Sequence, residues 1–279
     1  MVSRVTFPCT AGVVAAPSGL LSPARAFSPP AANGPLGPTA ASPGTPIPPR
    51  PGASITAAAD PAAEERLLTI TAAALVLLPV FLQAPWVRQA PMAATLFTAV
   101  LLSLGLHLER QSQPRLSRLG ALLVGFSGCW LGGSLFWGWG RLHPLWHLPV
   151  EGFALPLAAA GLGGRWRLAG SFYLASLLGT AATDAAMAFS GVIELWPQVL
   201  RAPLAQAAPL LHQAGLAVIR PATLVVVAGV ATALLALCAR LREFGLAGQV
   251  AAAALATTLA VDGIFLAAAL FAPHLSGLL

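Results

Sequence analysis

From residue 67 onward the chain is a series of apolar runs separated by short polar breaks, each run near the ~20 residues needed to cross the hydrocarbon core of a bilayer. The runs fall at 67–87, 91–108, 119–140, 145–163, 168–193, 221–239 and 246–271. They predict an all-α fold, a polytopic transmembrane helix bundle of about seven spans. The second run is short, and the fourth contains Pro149 and Pro156. Residues 194–220 break the pattern: Pro197, Pro203 and Pro209 recur every six residues, each without a helix donor, and apolar and polar side chains alternate between them. This spacing predicts broken helices lying on the membrane face, either as a long connection or as a lid.

Residues 1–66 precede the first run. Residues 1–59 hold 12 Pro, 6 Gly and 6 Ser, three arginines and no acid. Such a segment has too little apolar surface to offset its chain entropy, which predicts a disordered tail. Its basic, acid-free character also fits a transit-like segment, with Ala24-Arg25-Ala26 as a loose cleavage-site match. The membrane domain is therefore expected at 67–279.

Composition agrees with the apolar pattern. Of 279 residues 57% are hydrophobic and 9% charged, with a mean hydropathy of +0.79. A soluble domain carries roughly 25% charged residues, so a water-soluble enzyme or nucleic-acid binder is excluded and a lipid bilayer is the expected partner. All fifteen basic residues are arginine, which gives a net charge of +6. Arginine in the loops reports orientation. With seven spans, Arg66, Arg110, Arg115, Arg118, Arg165, Arg167, Arg240 and Arg242 fall on one side, and Arg88, Arg141, Arg201 and Arg220 on the other. That eight-to-four bias places the N-terminus inside. Cys9, Cys129 and Cys238 are too widely spaced to form a disulfide framework or a paired-cysteine metal site.

Three acids lie within the spans: Glu151, Asp184 and Asp262. Buried carboxylates in a membrane are costly and mark candidate sites. At about 1.5 Å per residue, Asp184 and Asp262 sit about 24 Å, and Glu151 about 18 Å, from the inner ends of their runs. Thr180 and Thr258 each precede an aspartate by four residues, which puts a hydroxyl on the same helix face as the carboxylate it could bond. Cationic partners could come from Arg141 and Arg220 at the outer ends, or from His143 and His147. These acids are read either as neutral interhelical hydrogen-bonding groups or as a proton or small-solute site. The four-residue spacing of His143, His147 and Glu151 suits a metal only on an unbroken helix, and Pro144 and Pro149 interrupt it, so no metal is expected. Nor is a cofactor expected, because no phosphate-binding or dinucleotide motif is present.

Gly125-Phe126-Ser127-Gly128 is similar to the Gly-x-Ser-Gly element of rhomboid intramembrane proteases, but the partner histidine of that pattern is missing. Gly128 and Gly132 instead form a small-residue face for close helix contact. Larger stretches carry a broader resemblance. These are Phe136-Trp137-Gly138-Trp139, the run from Pro144 to Glu151, the run from Phe172 to Asp184, and Val261-Asp262-Gly263-Ile264-Phe265. Here the chain resembles the uncharacterised cyanobacterial membrane family catalogued as domain of unknown function 3120, over roughly residues 70–270. Ala185, Ala186 and Met187 stand where bulkier aromatics are expected in that family. The resemblance implies a cyanobacterial plasma or thylakoid membrane, or a plastid membrane, and brings no activity with it. Pro149-Val150-Glu151 is also similar to the Pro-x-Glu element of membrane-bound lycopene cyclases, without the second adjacent acid. Three readings follow. The first is a carrier using Glu151, Asp184 and Asp262, with Thr180, Thr258, His147 and Arg141 around them. The second is a membrane enzyme acting on an isoprenoid or lipid, with Glu151 as acid, and the third is an assembly factor of a photosynthetic membrane.

Overall fold

The computed structural model describes residues 60–275, which form helices joined by short turns, with no strand among them. Residues 1–59, where a disordered tail is expected, lie outside the described residues. The first helix begins earlier than the apolar pattern predicts: α1 spans Pro61–Leu78, with the Asp60 carboxylate accepting from the Ala62 N–H at 3.0 Å. Asp before Pro is a strong helix start, because the carboxylate satisfies a free donor and proline needs none. Proline also opens three later helices, at Pro91, Pro114 and Pro221.

α1 continues through a widened π-turn, Pro79–Gln83, into α2 (Ala84–Gln89). Pro79 and Pro85 bracket this widening, each lacking a donor, and the Ala84 N–H reaches back five residues to the Pro79 carbonyl. α3 (Pro91–Glu109) returns antiparallel and packs along α4 (Pro114–Leu135), which ends in a second π-turn, Phe136–Gly140. α7 (Arg167–Ser190), introduced with α5 and α6 below, lies on the other side of α4. α10 (Pro221–Leu241) and α11 (Gly245–Phe271) form a hairpin closed by one 3₁₀ turn and by Gly245, whose φ of +68° suits glycine. Among the described residues five helical runs are long and apolar enough to cross a membrane: Pro61–Gln89, Pro91–Glu109, Pro114–Gly140, Arg167–Ser190 and Pro221–Phe271. The last of them contains both α10 and α11.

The expected fourth span, 145–163, is not a continuous helix. It consists of a 3₁₀ turn at Pro144–Trp146, α5 (His147–Glu151), a second 3₁₀ turn at Gly152–Ala154 and α6 (Leu155–Gly161). Its prolines remove donors at short intervals, so no run exceeds two turns. The 194–220 stretch forms two helices, α8 (Val192–Arg201) and α9 (Leu204–Val218), separated by extended backbone at Ala202 and Pro203. α9 packs on α11.

One end of the bundle gathers the ion pairs. Arg118 meets Glu64 at 2.9 Å, Arg165 meets Glu109 at 3.4 Å, and Arg240 meets Glu243 at 3.8 Å. From this Arg-rich end the core is built from periodic small and branched residues: Leu68, Ala72 and Leu75 on α1 face Val250, Ala251, Ala254 and Leu255 on α11. Lipid is as apolar as these side chains, so close contact rather than transfer from water holds the helices together. Glycine allows that contact. A Cβ on Gly125 would lie 2.5 Å from the Ala169 carbonyl oxygen, and one on Gly120 would strike the α3 backbone at Gly105 and Glu109. An aromatic chain of Trp86, Phe97, Trp130, Phe126 and Phe172 runs across the middle, with ring centroids 5.1–6.5 Å apart and mostly edge to face.

Candidate functional site

Away from the Arg-rich end the bundle opens around a cavity of about 580 Å³. Glu151, Asp184 and Asp262 all line it, together with His147, Thr180, Thr183 and Thr258. The rest of the wall is mainly aliphatic and aromatic, supplied by α1, α4 and α7 to α11.

The histidine and one acid come from the single-turn helix α5. His147 and Glu151 stand four residues apart and share a face. Glycine lets α5 approach α4 closely: a Cβ on Gly132 would lie 2.9 Å from the Glu151 Cα. One turn back, a Cβ on Gly128 would lie 3.1 Å from the Tyr173 ring. Gly128 and Gly132 of the motif therefore receive α7 and α5 respectively. Tyr173 then bridges the break after α5, its hydroxyl donating to the Glu151 carbonyl and accepting from the Ala154 N–H at 3.2 Å. It thus satisfies backbone groups that the interrupted helix leaves free.

His147 lies between two carboxylates. Its Nδ1 is 2.9 Å from Asp184 Oδ1 and its Nε2 3.2 Å from Glu151 Oε1. The ring lies against Phe136, with centroids 4.2 Å apart. Thr180 donates to the second oxygen of Glu151 at 3.1 Å. All three titratable side chains are about one-fifth exposed, opening toward the cavity. Hydrogen counting constrains the cluster. Two hydrogen bonds at the imidazole need two protons, either as imidazolium with two carboxylates or as imidazole with one carboxylate and one carboxylic acid. Both arrangements carry one net negative charge, so protons can shift within the trio without changing its total charge.

Asp262 joins the group through α7. The Thr183 hydroxyl lies 2.6 Å from Asp262 Oδ2 and 3.1 Å from the Gly179 carbonyl. That hydroxyl has one proton. If it donates to Asp262, the acid accepts in either protonation state; if it donates to Gly179, a protonated Asp262 supplies the other bond.

Several pairings differ from those expected from spacing. Thr180 serves Glu151 rather than Asp184, because the i,i+4 face of α7 is turned toward α5. Thr258 bonds back to the Ala254 carbonyl at 3.1 Å, and Thr183 takes its place beside Asp262. The Thr258 methyl instead seals α11 on α7, since a Cβ on Gly179 would lie 2.7 Å from it. Arg141 does not line the cavity. Its carbonyl accepts from the Trp196 indole at 3.0 Å, and the basic side chain among the acids is His147. Ser127 bonds back to the Val124 carbonyl at 2.7 Å. Among the described residues, no group of three or more His, Cys, Asp and Glu side chains is placed to hold a metal ion.

Spacing arguments missed three residues. Gln83, 1% exposed, donates to the Trp130 carbonyl at 2.5 Å and to Ser134 Oγ at 2.7 Å, tying the first π-turn to the helix that leads into the second. An amide in the middle of an apolar run was a readable signal. So was Tyr173, the single tyrosine of the chain. Thr183 gave none.

These features define a polytopic α-helical membrane protein with a titratable cluster held inside its bundle. The chain belongs to the family described as protein of unknown function (DUF3120), whose model matches residues 72–270 and so takes in every side chain of the cluster. No curated protein and no solved structure matches it.

Proposed function

We propose that this protein is a carrier that exchanges protons at the His147 cluster for a small solute or cation bound in the adjoining cavity. The observation that supports this is the placing of both imidazole nitrogens against carboxylates that line a ligand-sized space. A positive group that reaches Asp184 or Glu151 competes with His147 for the carboxylate. The cluster can then release a proton while the summed charge of cluster and bound cation stays the same, which links solute binding to proton movement. In the bilayer the Arg-rich end faces the cytoplasm. The broken stretch 144–161 makes a further pass, giving seven in all, and the cavity lies toward the opposite leaflet.

The test is proton movement in vesicles containing the purified full chain and an internal pH dye, challenged in turn with inorganic cations, amines and amino acids. At least one class should change the internal pH, and Asp184→Asn and His147→Gln should lose that response while still folding. A folded wild type that moves no protons with any solute, or an Asp184→Asn variant that responds like wild type, defeats the proposal.

The apolar wall favours a second reading, an enzyme acting on an isoprenoid or lipid with Glu151 as proton donor. A deletion strain separates the two. An enzyme leaves an accumulated precursor in the lipid and pigment profile, whereas a carrier leaves that profile intact.

A further inference from the structure

The cavity has more character than its volume. It runs along α7 from Phe172 to Met187, about 22 Å at 1.5 Å per residue. Along about 10 Å of it α10 contributes only apolar side chains, Val227, Val230, Ala231 and Leu234. The carboxyl groups and the imidazole, Glu151, Asp184, Asp262 and His147, gather toward one end of it. The space is therefore a slot with a charged head region and a mainly apolar body.

The charge of the head region is one-sided. Three carboxyl groups face one imidazole, no arginine lines the cavity, and the chain contains no lysine. An anionic ligand meets net like charge here, and so would the carboxylate of a zwitterion. Two indoles, Trp137 and Trp196, line the same cavity, with centroids 5.7 Å apart and inclined at 65°. Carboxylates next to aromatic faces are the pairing that recognises organic ammonium groups, through charge and through the ring quadrupole.

We infer that the solute is an amphipathic organic cation, with an ammonium head between Asp184, Asp262, Trp137 and Trp196 and a single apolar chain lying in the slot along α10 and α7. This deepens the carrier proposal and rests on its reading of the cavity as the solute site. Binding of the head replaces the charge of the proton that the cluster releases, without requiring a second cation. Burial of the tail supplies affinity that a small ammonium ion lacks.

The test uses dodecyltrimethylammonium titrated into the full chain in phosphatidylcholine nanodiscs and followed by tryptophan fluorescence, with empty nanodiscs correcting for partition into lipid. Saturable binding near one per chain is expected. The double variant Asp184→Asn, Asp262→Asn should weaken it about tenfold or more, because a desolvated charge partner is lost. Asp184→Glu, which keeps the charge, should retain it, so that a loss in the double variant is not mistaken for misfolding. Dodecanol, dodecyl sulfate and tetramethylammonium should give no comparable saturation. Equal binding of dodecanol or dodecyl sulfate, an unaffected double Asn variant, or absence of saturable binding overturns the inference. The two proposals fail separately. Vesicles that move protons with an inorganic cation, from a protein that does not bind the alkylammonium, retain the carrier and reject this ligand. Tight alkylammonium binding without proton movement does the reverse.

Discussion

The two halves of the bundle solve the same packing problem differently. Toward the Arg-rich end, helices meet through glycine and alanine at backbone contact: Gly120 on α3, Gly125 on the start of α7, Ala251 and Ala254 on α1. Toward the other end, two π-turns, a proline-broken segment and a pair of short helices hold the same helices apart around the cavity. In the first half the side chains are too small to leave space. In the second they are polar or bulky and fixed by directed hydrogen bonds from Gln83, Tyr173, Thr180 and Thr183. A membrane interior rewards close contact and does not reward mere apolarity, so a cavity persists there only when its walls are separately braced.

The largest expected effect breaks the tight half. Gly120→Leu drives a side chain into the α3 backbone at Gly105 and Glu109, and should cost about 3 kcal/mol, with most of the folded material lost. Size-exclusion profiles and melting in detergent read this directly. A variant that melts like wild type would mean the two halves do not differ in tightness. Next comes the brace between the π-turns. Gln83→Leu leaves Ser134 and the Trp130 carbonyl without their buried donor, for about 2 kcal/mol of stability, which thermal melting should show as a clear fall in Tm. Gly132→Ala sharpens the comparison more gently. It should cost about 1 kcal/mol as α5 gives way, yet markedly reduce the proton response in vesicles, because His147 and Glu151 move with α5. Normal proton movement in that variant would show the open half to be compliant. Smallest of all, Arg118→Ala should change the melting midpoint by the equivalent of less than about 1 kcal/mol, since its partner Glu64 is shielded but Arg118 itself is 45% exposed.

Much of the helical frame was legible from residue type alone. Pro91 and Pro221 open helices where two apolar runs were expected to begin, and six of the seven runs coincide with long helices, the fourth being broken. The site was legible in part. Depth along the runs singled out Glu151, Asp184 and Asp262, which the structure brings to one cavity. Their partners were not legible, because the i,i+4 rule sees only one helix. Thr180 and Thr258 obey it in position, but each turns its hydroxyl elsewhere once α5 and α7 pack beside them. His147 was one of four cation candidates, and only the approach of α5 to α4 over Gly132 puts it between two acids.

The sequence alone determined that this chain belongs in a bilayer, where most of its long helices run, and which acids fall within the apolar runs. Those properties follow from local composition and from the fixed rise of a helix. The tertiary structure decided that the fourth apolar run is broken, that α8 and α9 cover a cavity, and which hydroxyl meets which carboxylate. These depend on the rotation of each helix about its axis. That rotation is set by contacts between residues far apart in the chain, such as Gly132 with Glu151 and Gly179 with Thr258.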